Sequence, residues 1–503
     1  MNTSELLAEL KAKTGEVIDL RAAVSVLHWD QEVFMPPKAA PARGRQLATL
    51  SSLAHRMFTS EAMGGLLDTL TERLDELAPD DRILVDETSY DYAKATKVPA
   101  EFVEKFAEEQ SKAYEAWTRA RKESDFKTFQ PHLDTIVELL RQKAEYLGYE
   151  DSPYDALLDE YERDMTAAQV RGIFTPLAEE QSNIIAKIAE RGAQGDFGWV
   201  DQEYDEAAQL AFTEQVLRDM GYDFDAGRQD KSVHPFTINF DLHDVRVTTR
   251  VDPREPFSAL TGSIHEGGHA LYEQGFAPHD QRTVLAEAIS LGIHESQSRM
   301  WENMIGRSLP FWQHYHAAFL ATHAPRLDGR SAEDLFRAVN RVEPSLIRVE
   351  ADECTYNLHV VLRFEIEVAL IEGTLKVSEV PEAWNAKMKQ YLGLDVPDDA
   401  RGCLQDIHWS HGSMGYFPTY ALGNLYAAQL FEQIESDLPA LWSSVGAGEF
   451  APLLGWLRAN VHRVGRRMLP TQLIAHVTGR EPEAAPFLNY LKKKYGGIYG
   501  VAL

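Results

Sequence analysis

A chain of 503 residues with 44% hydrophobic content is long enough to bury a large core. Its 50 Lys and Arg stand against 78 Asp and Glu, and the formal net charge of −28 argues against nucleic acid or an anionic membrane surface as a partner. Two cysteines far apart, Cys354 and Cys403, make no disulfide framework, and no apolar run approaches the roughly 18 residues of a membrane span.

The opening residues, Met1-Asn2-Thr3-Ser4-Glu5, lack the basic and apolar regions of a secretory signal, so a cytoplasmic protein is expected. Residues 3–27 read as a helix with Leu6, Leu7, Leu10, Val17, Ile18 and Val24 on one side. His28-Trp29-Asp30-Gln31-Glu32 follows, and Pro36-Pro37 stops it. His28 and Glu32 have metal-ligand spacing, but a packed His-Trp pair at a helix corner explains them better. From about 38 to 147 the chain is rich in Ala, Leu, Glu and Lys, which predicts amphipathic helices broken near 78–80, 97–99 and 123–127. Helices resume over 166–192 and 202–219. The absence of a flexible linker predicts one large domain over 1–503, with a helical lobe at about 1–200 and a catalytic core at about 230–425.

At residue 233 the pattern changes. Val233 to Phe240 and Asp244 to Arg250 carry β-branched and aromatic residues in partial alternation, which predicts a short strand pair. Such a pair can be a structural hairpin, an edge that holds an extended peptide, or both.

Ser263 to Tyr272 contains His265-Glu266-Gly267-Gly268-His269, an instance of HExxH. On a helix, residues four apart share a face, so His265 and His269 can send two imidazoles to one metal ion, zinc being the best suited. Glu266, about 100° further round, sits where it can deprotonate a water. Asp252-Pro253 and Glu255-Pro256 mark the helix start, and Gly275 with Pro278 the stop. The two central glycines each cost roughly 1 kcal/mol in a helix, and nothing local offsets it. Glu273 is about 12 Å along the axis from His265, too far to complete the site. The third ligand is left open among Glu287, His294, Glu295 and Glu302.

Further on, 309–342 reads as helical, and Ile347-Arg348-Val349-Glu350-Ala351-Asp352 leads into an apolar helix through Leu358, Val361, Leu362, Ile366 and Leu370. Residues 402–424, dense in Gly, Pro, His and aromatics, predict a shaped loop; helices resume from about 424.

Together these segments resemble the thermostable carboxypeptidase (Taq-type) family of zinc metallocarboxypeptidases. The resemblance rests on HPF at His234, DVRVT at Asp244, HEGGH at His265, HESQSR at His294, IRVEAD at Ile347 and GCLQDIHW at Gly402. The early His28-Trp29-Asp30-Gln31-Glu32 joins them. It implies a mainly α, saddle-like (neurolysin-like) body with a deep groove, a homodimer, and removal of single C-terminal residues with broad tolerance. It also implies one Zn²⁺ held by His265, His269 and Glu295, with Glu266 as general base; Co²⁺ or Mn²⁺ can substitute. The expected substrates are peptides with a free C-terminal carboxylate.

Within that framework, Tyr420 and His408, then Tyr416, are the candidate donors to a tetrahedral oxyanion. Arg348 is the first candidate to grip the terminal carboxylate, ahead of Arg246 and Arg299. Arg299 could instead orient Glu295, and Asp352 and Asp406 could orient histidines or arginines. The rival readings are a helical zinc endo-oligopeptidase with the same ligands and a non-catalytic helical scaffold with a vestigial site.

Overall fold

The computed structural model describes residues 1–192 and 195–503. Only 3% of the chain is strand against 69% helix, so the sheet is a local device beside one helix, not a layer of the fold. Helix ends fall where the chain supplies caps. Asn2 and Glu5 form a capping box before Thr3–Val33, Asp125 caps Phe126–Leu147, and Thr166 with Gln169 caps Ala167–Arg191. Pro79 opens Pro79–Lys97, and Pro99 precedes Ala100–Glu123, which accounts for the breaks read from sequence.

The first helix runs on to Val33, through the stretch expected to form a corner. His28 is exposed on it, so the packed His-Trp pair does not form. Trp29 alone is buried, with the Arg246 guanidinium 4.3 Å from its ring centre.

Two apolar cores and a small bridge between them organise the helices. The separate N-terminal core draws on Leu10, Val17, Phe58, Leu67 and Leu70, and nothing beyond Ala95. The helices from Ala100 onward pack into the main core, so the distinct N-terminal unit is shorter than the expected 1–200 lobe. Leu84, Val284 and Leu285 form the bridge, and ion pairs of Arg466 with Glu87 and Asp91 flank it.

The predicted strand pair is present as β2 (Thr237–Asp241) antiparallel to β3 (Asp244–Thr249), with Thr237 opposite Val247. A third strand, β1 (Gln229–Lys231), lies parallel on the other side of β3. Its three polar residues carry no alternation that could have revealed it. Val245, Val247 and Thr249 are buried, and Ser263 of the HEGGH helix (Ser258–Glu273) donates to Thr249 Oγ1 at 3.0 Å.

The helix expected over 309–342 is two, Leu309–Thr322 and Ala332–Val339. The 402–424 loop is shorter than expected. A 3₁₀ turn spans His408–His411, and a regular helix begins at Phe417 with Pro418 in its first turn, where its missing N–H costs nothing.

Candidate metal centre and active site

Two helices build the centre. The HEGGH helix supplies His265 and His269; the second, Leu291–Arg299, supplies Glu295 and continues as a π-helical stretch, Met300–Gly306. Their close approach explains the paired glycines. A Cβ on Gly268 would meet the Gln297 carbonyl oxygen and Ser298 Cα, both at 2.7 Å, and one on Gly267 would meet Leu217 Cδ2 at 2.4 Å. Gly268 therefore lets the two ligand helices touch backbone to backbone, and Gly267 admits Leu217.

His265, His269 and Glu295 each offer a donor atom, all within 4.8 Å of one another. Glu295 Oε2 lies 3.7 Å from His265 Nε2 and 3.4 Å from His269 Nε2. Ligands about 2.1 Å from a tetrahedral ion stand roughly 3.4 Å apart, so this N₂O set fits one first-row cation such as zinc and leaves a position open. Arg299 Nε donates to the other oxygen, Glu295 Oε1, at 2.6 Å, which turns Oε2 toward the histidines. Burial alone would raise the Glu295 carboxyl, but Arg299 and the two histidines outweigh it and hold it well below the usual carboxylate range. Burial pushes His269 down to about 3, so its imidazole is neutral, as a ligand must be.

The other third-ligand candidates fall elsewhere. Glu287 pairs with Arg466 at 3.0 Å. Glu302 lies behind His265, with Oε2 2.9 Å from Nδ1, and is itself held by Arg307 at 2.8 Å. His294 contacts His269 Nδ1 at 2.5 Å, and its Nε2 reaches Glu273 Oε1 at 2.7 Å. Glu273, excluded as a ligand, thus stands behind the second imidazole.

Glu266 is buried beside the triad, and burial raises its pKa. Thr237 Oγ1 on β2 is 2.8 Å from both Glu266 Oε2 and its backbone oxygen. Sequence reasoning missed Thr237; the available signal was its place directly after His234-Pro235-Phe236 on a strand flanking the HEGGH helix.

Arg348 is buried and donates to Asp406 Oδ1 at 2.8 Å and to the Tyr356 hydroxyl at 2.9 Å. Arg363, fully buried, donates to Asp406 Oδ2 at 2.8 Å and to Gln405 Oε1. It too was missed, although an Arg between Val360-Val361-Leu362 and Phe364 was a visible anomaly. Burial raises the Asp406 carboxyl, and the two guanidiniums overcome that and hold it far below its ordinary value. Tyr420 lies under Arg348, its ring centre 4.9 Å from the guanidinium. The Tyr420 hydroxyl is 3.4 Å from His408 Nε2, and its ring is 5.2 Å from that of Tyr416. Burial lowers His408 to about 3 and leaves it neutral. The Tyr416 hydroxyl is pushed up, by burial first and then by the Glu295 charge. The structure thus gathers Arg348, Asp406, His408, Tyr416 and Tyr420, and Arg299, 4.4 Å over the Tyr356 ring, links them to Glu295.

Two expected residues are not brought in. Arg246 is tied to Asp244 at 2.7 Å and stacks on Trp29 and Phe240, on the face of β3 away from the buried Val245 and Val247. Asp352 orients no histidine or arginine. It accepts from the backbone N–H of Glu343, Cys354 and Thr355, a local cap of the turn before Tyr356–Glu372, because a short carboxylate beside free N–H groups satisfies them first.

A family model described as Carboxypeptidase Taq (M32) metallopeptidase matches residues 9–495. Thermostable carboxypeptidase 1 of Thermus thermophilus is 40% identical over 98% of each chain. Carboxypeptidase 1 of Bacillus subtilis is 38% identical over 95% of each. The crystal structure of an M32 carboxypeptidase from Deinococcus radiodurans superposes with a TM-score of 0.97 at 41% identity, covering 99% of this chain and 100% of that one. With its ligand set, its fold and matches over nearly its full length in agreement, the chain belongs to the Carboxypeptidase Taq (M32) family and is a metallocarboxypeptidase.

Proposed function

We propose that the enzyme uses zinc to remove single residues from the free C-terminus of peptides, with broad tolerance for the residue removed. The observation that carries this reading is the pairing of a cation site at His265, His269 and Glu295 with a buried guanidinium, Arg348, joined to it through Tyr356 and Arg299. Zinc held by these three residues would supply Lewis acidity toward the scissile carbonyl and would lower the pKa of the attacking water toward about 7. Cobalt or manganese can take its place.

Glu266 takes the proton from the attacking water and passes it to the leaving amine. Thr237 holds Oε2 of that carboxylate and leaves Oε1 to do so. Arg348, already oriented by Asp406, receives the terminal carboxylate. Tyr420, with His408 at its hydroxyl, and Tyr416 beside it are the donors to the oxyanion. β2, an edge strand next to Glu266, is suited to hold the substrate backbone in extended form. Two buried free cysteines support a reducing cytoplasm, and the homodimer rests on family resemblance.

A mass-spectrometric time course on one peptide and its C-terminally amidated twin, with zinc supplied, tests the reading. Stepwise loss of single residues from the free acid alone is expected. Internal cuts in both peptides would establish an endo-oligopeptidase instead, and no cleavage with zinc, cobalt or manganese would leave a scaffold.

A further inference from the structure

We propose that His294, braced by Glu273, is a positioning residue that sets which nitrogen of His269 carries the proton and so keeps Nε2 of that ligand open to the metal. The proposal rests on the metal-ligand reading of His265, His269 and Glu295.

His269 Nδ1 and His294 Nδ1 are 2.5 Å apart, so one must donate and the other accept. The other end of the His294 ring decides which. Its Nε2 lies 2.7 Å from Glu273 Oε1, and an ionised carboxylate only accepts. A neutral His294 that donates from Nε2 to this carboxylate presents Nδ1 as a bare acceptor. His269 must then donate from Nδ1, which leaves the Nε2 lone pair pointing to Glu295 Oε2 at 3.4 Å. Were His294 to donate from Nδ1 instead, the proton of a neutral His269 would sit on Nε2 and block the ion.

Glu273 is fixed for this task. It is the last residue of the HEGGH helix, is buried, and also accepts from the Asn239 amide on β2. His265 reaches the same state in one step, through Glu302 at 2.9 Å. Ligand histidines are generally oriented by a carboxylate or carbonyl on their second nitrogen. For His269 that carboxylate acts through an intervening imidazole. His294 is consequently more than the neighbour of a ligand in the HESQSR segment.

The test is a titration of the metal-free enzyme with Zn²⁺ against a competing chelator, and with Co²⁺ followed by its d–d absorption. H294F, which removes the acceptor, should bind zinc about 10- to 100-fold more weakly and alter the Co²⁺ spectrum. H294N, whose side-chain oxygen can stand near Nδ1, should recover much of the loss. E273Q, which leaves the ring in place, should fall between H294F and the parent. Zinc affinity within twofold of the parent in H294F, with an unchanged Co²⁺ spectrum, would overturn the proposal. Should H294F fail to fold, E273Q decides alone: weakened binding supports the relay, and unchanged binding overturns it. H269A separates the two levels of the argument. It must lose stoichiometric metal, and retention would overturn the ligand reading and the relay with it.

Discussion

Around His265 and His269, three carboxylates, Glu266, Glu295 and Glu302, face two guanidiniums, Arg299 and Arg307. Beyond Tyr356, two guanidiniums, Arg348 and Arg363, share the single carboxylate of Asp406. Both clusters are buried, and their partners outweigh the cost of burial at Glu295, Glu302 and Asp406, whereas burial prevails at Glu266 and Arg363. The surplus differs in sign. A buried unpaired charge costs several kcal/mol, so the proposed function completes the first cluster with a cation and the second with an anion. Placed side by side, they describe a site for an anionic chain end next to a metal, which is the requirement of a carboxypeptidase.

Breaking the first cluster should have the largest effect. E266Q removes the base and leaves all three ligands, so kcat should fall on the order of 10³-fold while bound zinc, measured by elemental analysis, stays near one per chain. Turnover within tenfold of the parent would take the base role away from Glu266.

Breaking the second cluster should instead select among substrates. R348A leaves Asp406 paired with Arg363 at 2.8 Å but empties the anion position. The specificity constant for a free-acid peptide should drop about 10²-fold or more, the cost of losing a buried charged contact. The affinity of an amidated analogue, measured as a competitive inhibitor, should be far less affected. Equal losses on both would show that Arg348 supports the fold only.

The glycines sharpen the comparison by asking how tightly the cation cluster is set. G268A drives a methyl into the backbone of Gln297 and Ser298, on the helix that carries Glu295, whereas G267A meets one flexible leucine tip. Overpacking costs typically 1–3 kcal/mol, and G268A should lie at the upper end and weaken zinc binding as well. G267A should lose stability alone, and L217A should restore part of it. Thermal melts with zinc titrations distinguish these outcomes; equal zinc affinities for both variants would show that the helix contact does not set ligand geometry.

An effect confined to a pH window and leaving the site's chemistry untouched concerns Glu162, whose carboxylate accepts from Gly292 N–H and Ser290 Oγ at the start of the Leu291–Arg299 helix. Burial raises it from 4.5 to about 7. The folded protein therefore binds this proton more tightly than the unfolded chain between those values, and the contribution to stability falls as pH rises through the window. The span corresponds to on the order of 3 kcal/mol. Denaturant unfolding of E162Q and the parent at about pH 5 and about pH 8 should show a shallower decline in the variant; identical declines would remove Glu162 as its source.

By itself the sequence determined what depends on local spacing and on caps. The HExxH period puts His265 and His269 on one helix face whatever surrounds them, and Pro79, Pro99 and Asp125 break the early helices wherever the chain folds. The β-branched alternation likewise marks β2 and β3 beside that helix. Only tertiary structure decided how distant segments use their side chains. Spacing could not choose among Glu287, His294, Glu295 and Glu302, because the choice depends on which face of a second helix crosses the first, and Gly268 makes that crossing possible. Arg246, a candidate behind Arg348, and Asp352, a candidate level with Asp406, each found a nearer partner, Trp29 with Asp244 in one case and free backbone N–H groups in the other. The same reason hid Thr237, Glu273 and Arg363. Their chemistry lies in hydrogen bonds across 29, 21 and 43 residues of sequence, and a one-dimensional pattern carries no information about which polar groups burial will force to meet.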